Sequence, residues 1–168
     1  MKPGYLLFET DFGWMGIWGS TAGLRGVTLP QPSPEAVLQA MGRGFEGAPA
    51  RASFFGDLPH RLGSYLSGEP VTFTHRLDLA GATPFQRAVW EVARRIPYGE
   101  TKSYAWCAHQ IGKPGAARAV GTALGRNPVP IVIPCHRVVA SNGGLGGYAG
   151  GLAMKRRLLE MEGLKPGR

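Results

Sequence analysis

Covalent chemistry has one clear address in this chain. Between Asn127 and Val138 a cysteine, a histidine and an arginine follow one another directly, as Cys135, His136 and Arg137. A thiolate is a strong, polarisable nucleophile, and a neighbouring base or cation makes it available near neutral pH. Ile131–Ile133 is a short apolar run of buried type held between prolines, and it delivers the cysteine directly before the histidine and the arginine. If the segment is extended, successive side chains point to opposite sides, so His136 does not face the sulfur directly. A water relay, with a third group fixing the ring tautomer, is what this residue order then requires. The competing reading is a core cysteine beside a surface His-Arg pair.

The remaining reactive residues are less eloquent. Cys107 falls in a helical pattern without an adjacent base and reads as a small packing residue. His60 and His75 are lone histidines. Asn142–Gly151 is glycine-dense but lacks the Gly-Lys-Ser/Thr ending of a phosphate loop. It reads as a mobile pocket wall that offers Tyr148 as a flat stacking surface. Glu162 lies near a helix C-terminus, where a carboxylate is disfavoured unless a positive partner meets it. That misfit makes it a candidate orienter for His136.

Elements must position these groups. Tyr5–Glu9, Gly13–Trp18 and Leu24–Leu29 have strand composition, with Val71–Phe73 and Leu77–Leu79 as further candidate strands. Glu35–Met41 and Phe54–Leu66 have helical spacing. Thr83–Pro84 is a helix start, and Phe85–Ile96 follows with an apolar side. A helix capped by Thr101 or Ser103 runs to about Ile111, Gly112–Gly115 breaks it, and Ala116–Leu124 forms a second helix of mostly small residues. That is a helix-turn-helix pattern, whose second helix can enter a nucleic-acid groove. The last helix is Leu152–Met161, with Leu152, Leu158, Leu159 and Met161 on an apolar side and Lys155, Arg156 and Arg157 on a basic one. Two domains are expected, 1–80 and 84–168.

Charge divides along the same line. The net charge is +8. Residues 1–83 carry six bases and seven acids, a net of −1, whereas residues 84–168 carry thirteen bases and four acids, a net of +9. A basic half beside a near-neutral one points to a polyanionic partner. With 43% apolar and 18% charged residues, the composition excludes an acidic disordered chain. The sequence has no apolar run of membrane-spanning length and no signal-peptide core, so a cytoplasmic protein of the reducing interior is expected. Two cysteines build neither a disulfide framework nor a four-cysteine zinc site.

Several spaced motifs carry a resemblance. They are Thr83-Pro84-Phe85-Gln86-Arg87-Ala88-Val89-Trp90, Ile96-Pro97-Tyr98-Gly99, Ala117-Arg118-Ala119-Val120-Gly121, Pro134-Cys135-His136-Arg137-Val138, Gly147-Tyr148-Ala149-Gly150-Gly151-Leu152 and Glu162-Gly163. In this order they resemble the O6-alkylguanine-DNA alkyltransferases, the methylated-DNA–protein-cysteine methyltransferases. The resemblance implies an α+β molecule: a ribonuclease-H-like mixed α/β N-terminal domain, then a mainly helical C-terminal domain with a helix-turn-helix and the active-site cysteine. It implies single-turnover repair, in which the alkyl group of O6-alkylguanine in flipped-out double-stranded DNA passes to Cys135. O4-alkylthymine is a further candidate substrate. His136 would work through water and be held by Glu162, and Tyr104 would face the flipped base and donate to guanine N3. Arg118 would fill the vacated base stack, while Ala117 and Gly121 let the second helix approach the minor groove. Tyr148, Ala149, Val138, Pro130 and Leu124 would form the pocket, with carbonyls of Cys135 and Val138 receiving the guanine amino group, and Asn127 would act as a hinge. Ala149 departs from the serine common in the family. No cofactor, no metal and a monomer are implied. The alternative reading is a non-enzymatic lesion-sensing DNA-binding relative of the same fold.

Overall fold

The computed structural model describes residues 2–43, 45 and 47–167. The chain forms two compact units: residues up to Ala80 together with Pro128–Pro130, and Gly81–Asn127 together with the residues from Ile131 onward.

The first unit is built on an antiparallel sheet of β1 (Pro3–Thr10), β2 (Gly13–Ser20) and β3 (Gly23–Val27) in that order. Leu6 pairs with Ile17 and Phe8 with Met15. At the β1–β2 turn, Gly13 takes a φ of 123°, which a side chain would oppose. Met15, Ile17 and Val27 are buried, together with Val37 and Met41 of α1 (Pro34–Met41) and Leu58, Leu62, Tyr65 and Leu66 of α2 (Leu58–Leu66). Helix α1 starts at Ser33, whose hydroxyl accepts from the Ala36 N–H at 3.1 Å. The expected helix over Phe54–Leu66 is split, because a 3-10 turn (Ala52–Phe55) ends at Gly56 before α2 begins. The two further candidate strands do not form. Leu77 makes a single parallel bridge to Leu24, and the Thr72 carbonyl accepts from the Arg61 side chain at 3.0 Å rather than from a strand.

The second unit is mainly helical. Helix α3 (Pro84–Arg94) opens with a capping box: Thr83 Oγ1 accepts from Gln86 N at 3.1 Å, and Gln86 Oε1 accepts from Thr83 N at 3.0 Å. Its buried Trp90 donates Nε1–H to the Ala123 carbonyl at 2.8 Å. The helix-turn-helix is α4 (Tyr104–Gln110), capped by Ser103, and α5 (Ala117–Gly125). Gly112 turns the chain between them at a φ of 73°. A two-residue parallel pair joins β4 (Lys102–Ser103) to β5 (Val138–Val139), and α6 is Leu152–Met161. The molecule is therefore α+β, with a sheet-based N-terminal half and a helical C-terminal half. No helix among the described residues is long and apolar enough to cross a membrane.

The cysteine segment departs from expectation. Ile131–Ile133 is not a strand: Ile131 has a φ of 73°, and Cys135–Arg137 is a 3-10 turn. Pro128, Pro130 and Pro134 lack the N–H groups that a ladder needs, so the segment folds on itself. In a 3-10 turn, successive side chains fan out by about 120° rather than alternating.

Candidate active site

Cys135 is 7% exposed, and its sulfur sits in the wall of a cavity of about 700 Å³. Asn127 Nδ2 donates to Sγ at 3.2 Å and to the Ile133 carbonyl at 2.9 Å. An amide has two such hydrogens, so both are committed and the orientation of the side chain is fixed. Burial pushes the Cys135 thiol up, opposed by the Asn127 hydrogen bond and by the charge of Lys155.

His136 and Arg137 are both buried, which overturns the reading of a surface His-Arg pair. Both meet Glu162. His136 Nε2 lies 2.5 Å from Oε2, Arg137 Nε donates to Oε1 at 2.9 Å, and the Gly99 N–H donates to Oε1 at 2.9 Å. Arg137 also donates Nη1–H to the Ile96 carbonyl at 2.7 Å. A carboxylate only accepts, so Nε2 carries the hydrogen and Nδ1 is the proton-accepting nitrogen of the ring. Burial lowers the His136 pKa, and Glu162 opposes that shift. The result is a neutral imidazole held in one tautomer.

Lys155 is the residue whose place the sequence concealed. It stood in a Lys-Arg-Arg run on a supposed basic face, yet it is fully buried. Its Nζ donates to the carbonyls of Val138 (2.7 Å), Leu145 (2.5 Å) and Gly147 (2.9 Å), and lies 3.3 Å from Tyr104 Oη. Burial lowers its pKa to about 8, with the Cys135 charge opposing. Tyr104 Oη also accepts from Gly147 N at 3.1 Å, and burial raises its pKa.

The cavity wall includes Tyr104, Ala117, Arg118 and Gly121 from the helix-turn-helix, and Leu124, Tyr148 and Ala149 from the expected pocket. Arg118 is exposed. The Tyr148 hydroxyl is buried with no hydrogen-bond partner among the described residues, and burial raises its pKa well above 10. Two expected pocket residues do not line this cavity: Val138 is fully buried in the core, and Pro130 belongs to the first unit. The Val138 carbonyl accepts from Lys155, and the Cys135 carbonyl accepts from the Val138 N–H. A thiol in a cavity wall, with a buried base and a buried cation nearby, can attack an electrophile of small-molecule size that enters the cavity.

Comparison with known proteins shows the family. The family model for the 6-O-methylguanine DNA methyltransferase, DNA binding domain, matches residues 84–164. A methylated-DNA–protein-cysteine methyltransferase of Mycolicibacterium paratuberculosis is 54% identical over 108 residues. That match covers 64% of this chain and 65% of the relative, just under two thirds of its length. The methylated-DNA–protein-cysteine methyltransferase of Methanosarcina acetivorans is 38% identical over 159 residues, covering 95% of this chain and 97% of that one. The crystal structure of Mycobacterium tuberculosis OGT in complex with DNA superimposes with a TM-score of 0.79 at 39% identity, covering 95% of this chain and 92% of that chain. The chain thus belongs to the methylated-DNA–protein-cysteine methyltransferase family.

Proposed function

We propose that this chain repairs DNA by moving the alkyl group of O6-alkylguanine onto Sγ of Cys135, once per molecule. The observation that carries the reading is the Cys135 sulfur in the wall of the 700 Å³ cavity, with the Asn127 amide 3.2 Å away. The thiol proton leaves through a water to Nδ1 of His136, while Glu162 holds the ring by Nε2–H and stabilises the charge that develops. The thiolate then attacks the alkyl carbon, the carbon–oxygen bond breaks, and guanine departs with the bonding electrons. Protonation restores the base. The new thioether has no leaving group comparable to guanine, so the sulfur is spent.

A base reaches such a cavity only after extrusion from the duplex, which costs a few kcal/mol. Helix α5 supports this step, because Ala117, Arg118, Gly121 and Thr122 lie on the cavity wall and Arg118 is exposed, free to replace the lost stacking. The small residues of α5 suit close approach to a minor groove. Tyr104 and Tyr148 line the same cavity, which supports Tyr104 as the hydroxyl that turns from the Gly147 carbonyl toward the leaving base and Tyr148 as a stacking face. The protein acts as a monomer inside the cell.

The test is mass spectrometry after mixing with a duplex that carries O6-methylguanine. One methyl per protein, localised to Cys135, is the expected outcome. Transfer that persists in Cys135→Ser refutes the assignment, and tight lesion binding without transfer by the native chain favours the lesion-sensing alternative.

A further inference from the structure

Helix α6 ends in a reversal. Gly163 takes a φ of 85°, its N–H donates to the Glu160 carbonyl at 3.0 Å, and the Leu164 N–H reaches back to Leu159 at 3.0 Å. This pair of bonds is a Schellman motif, and it turns the chain back along the helix it has just left. The returning segment is gripped by Arg156, which donates Nη1–H to the Pro166 carbonyl at 3.2 Å and Nη2–H to the Gly167 carbonyl at 3.0 Å. Gly167 then lies hard against the turn at Asn142–Gly144. A Cβ built on it would fall 2.3 Å from the Gly143 carbonyl oxygen and 3.0 Å from the carbonyl carbon, so only glycine fits.

That turn lies between residues of the cavity wall, Ala140 and Ser141 before it and Gly147 after it. The Ala140 N–H donates to the Gly144 carbonyl at 3.0 Å, the Gly143 N–H to Ala140 at 3.0 Å, and the Gly144 N–H to Asn142 Oδ1 at 2.9 Å. Ala140, Ser141 and Gly147 line the cavity beside Cys135. Lys155, next to Arg156 in sequence, holds the far side of the same loop through the Leu145 and Gly147 carbonyls.

We infer that Arg156 is a positioning residue for alkyl transfer: by clamping Pro166 and Gly167 onto the 142–144 turn, it fixes the cavity wall that seats the alkylated base. The inference rests on the repair reading above. Arg156 touches neither the sulfur nor the base in this role. Its two bonds hold a segment whose backbone contact leaves the turn no freedom to move outward. A small displacement of a seating wall is enough to cost a reaction between about ten- and a hundredfold, because the electrophile must sit in line with the sulfur.

The experiment compares the native protein with Arg156→Ala, Arg156→Lys and Gly167→Ala. Two substrates are used, a duplex with O6-methylguanine and the free base O6-benzylguanine, with transfer rates measured at saturation. The native rate on either substrate establishes the repair reading, and without it that reading fails first. Given native transfer, Arg156→Ala and Gly167→Ala are expected to slow both substrates by about tenfold or more. Arg156→Lys, which keeps a donor for one carbonyl, recovers part of the rate. Hydrogen exchange at the amides of Ala140, Gly143 and Gly144 should accelerate in both slow variants while amides within α6 stay protected. A loss confined to the duplex would make Arg156 a phosphate contact and overturn the inference. Unchanged exchange at the turn, or unchanged rates on both substrates, overturns it equally.

Discussion

Lys155 shows how much one buried ammonium can organise. Three carbonyls on two sides of the cavity loop converge on it, and its charge favours the Cys135 thiolate. Lys155→Met keeps the length of the side chain but removes the donors and the charge. Without the cation, the thiol ionises at higher pH, so ultraviolet titration of the thiolate should shift upward and methyl transfer at neutral pH should slow. Leaving buried carbonyls without their donor costs about 1–3 kcal/mol each at most, so urea denaturation should register a clear loss. Glu162 was legible in the sequence because a carboxylate at a helix C-terminus demands a cation. Lys155 was not legible, because one buried position inside a run of three bases looks like a solvated face. Only packing from other elements distinguishes it from Arg156 and Arg157.

Elements tell a similar story of local signals and tertiary overrides. Helix α3 announced itself through Thr83 and Pro84, and Gln86 completes the cap within the same turn. The helix-turn-helix was equally readable, since Ser103 and Gly112 are local punctuation. The Ile-Val-Ile run at 131–133 has strand composition, yet 131–137 is not extended. Three flanking prolines deny it a ladder, and the result is a left-handed Ile131 followed by a 3-10 turn. The candidate strands at 71–73 and 77–79 failed for a related reason: strand composition cannot say whether a sheet edge is on offer. For α5, the structure places Arg118 exposed at the cavity wall. Arg118→Ala should therefore slow transfer from duplex DNA while leaving reaction with free O6-benzylguanine nearly intact. Parallel single-turnover measurements on the two substrates check this, and equal losses would take Arg118 out of base extrusion.

At the scale of the whole molecule, buried acids and one buried base govern the response to alkali. Burial raises the pKa of Cys107 from 9.0 to about 11 and also raises those of Tyr98, Tyr104, Cys135 and Tyr148. The folded chain keeps these protons where the unfolded chain sheds them. The stability they lend is therefore complete below pH 9 and, for Cys107, lost as pH climbs through about 11. Lys155 acts the other way, because between about 8 and 10.5 the unfolded chain holds a proton the folded chain has released. Five groups against one predict a net fall in stability above pH 9. Denaturation measured from pH 8 to 11 should show that fall, with a shallower slope in Cys107→Ala.

The reversal at Gly163 has an implication for how tolerant this chain is to genetic change. Nothing lies within 4 Å of a Cβ at that position, so crowding would not protect it, but its φ of 85° penalises every other residue type. The twist follows directly on Glu162, which holds the imidazole, and it sends the next residues back toward the cavity loop. A missense variant there would accordingly misdirect the returning segment and loosen wall alignment, at a site with no reactive side chain of its own.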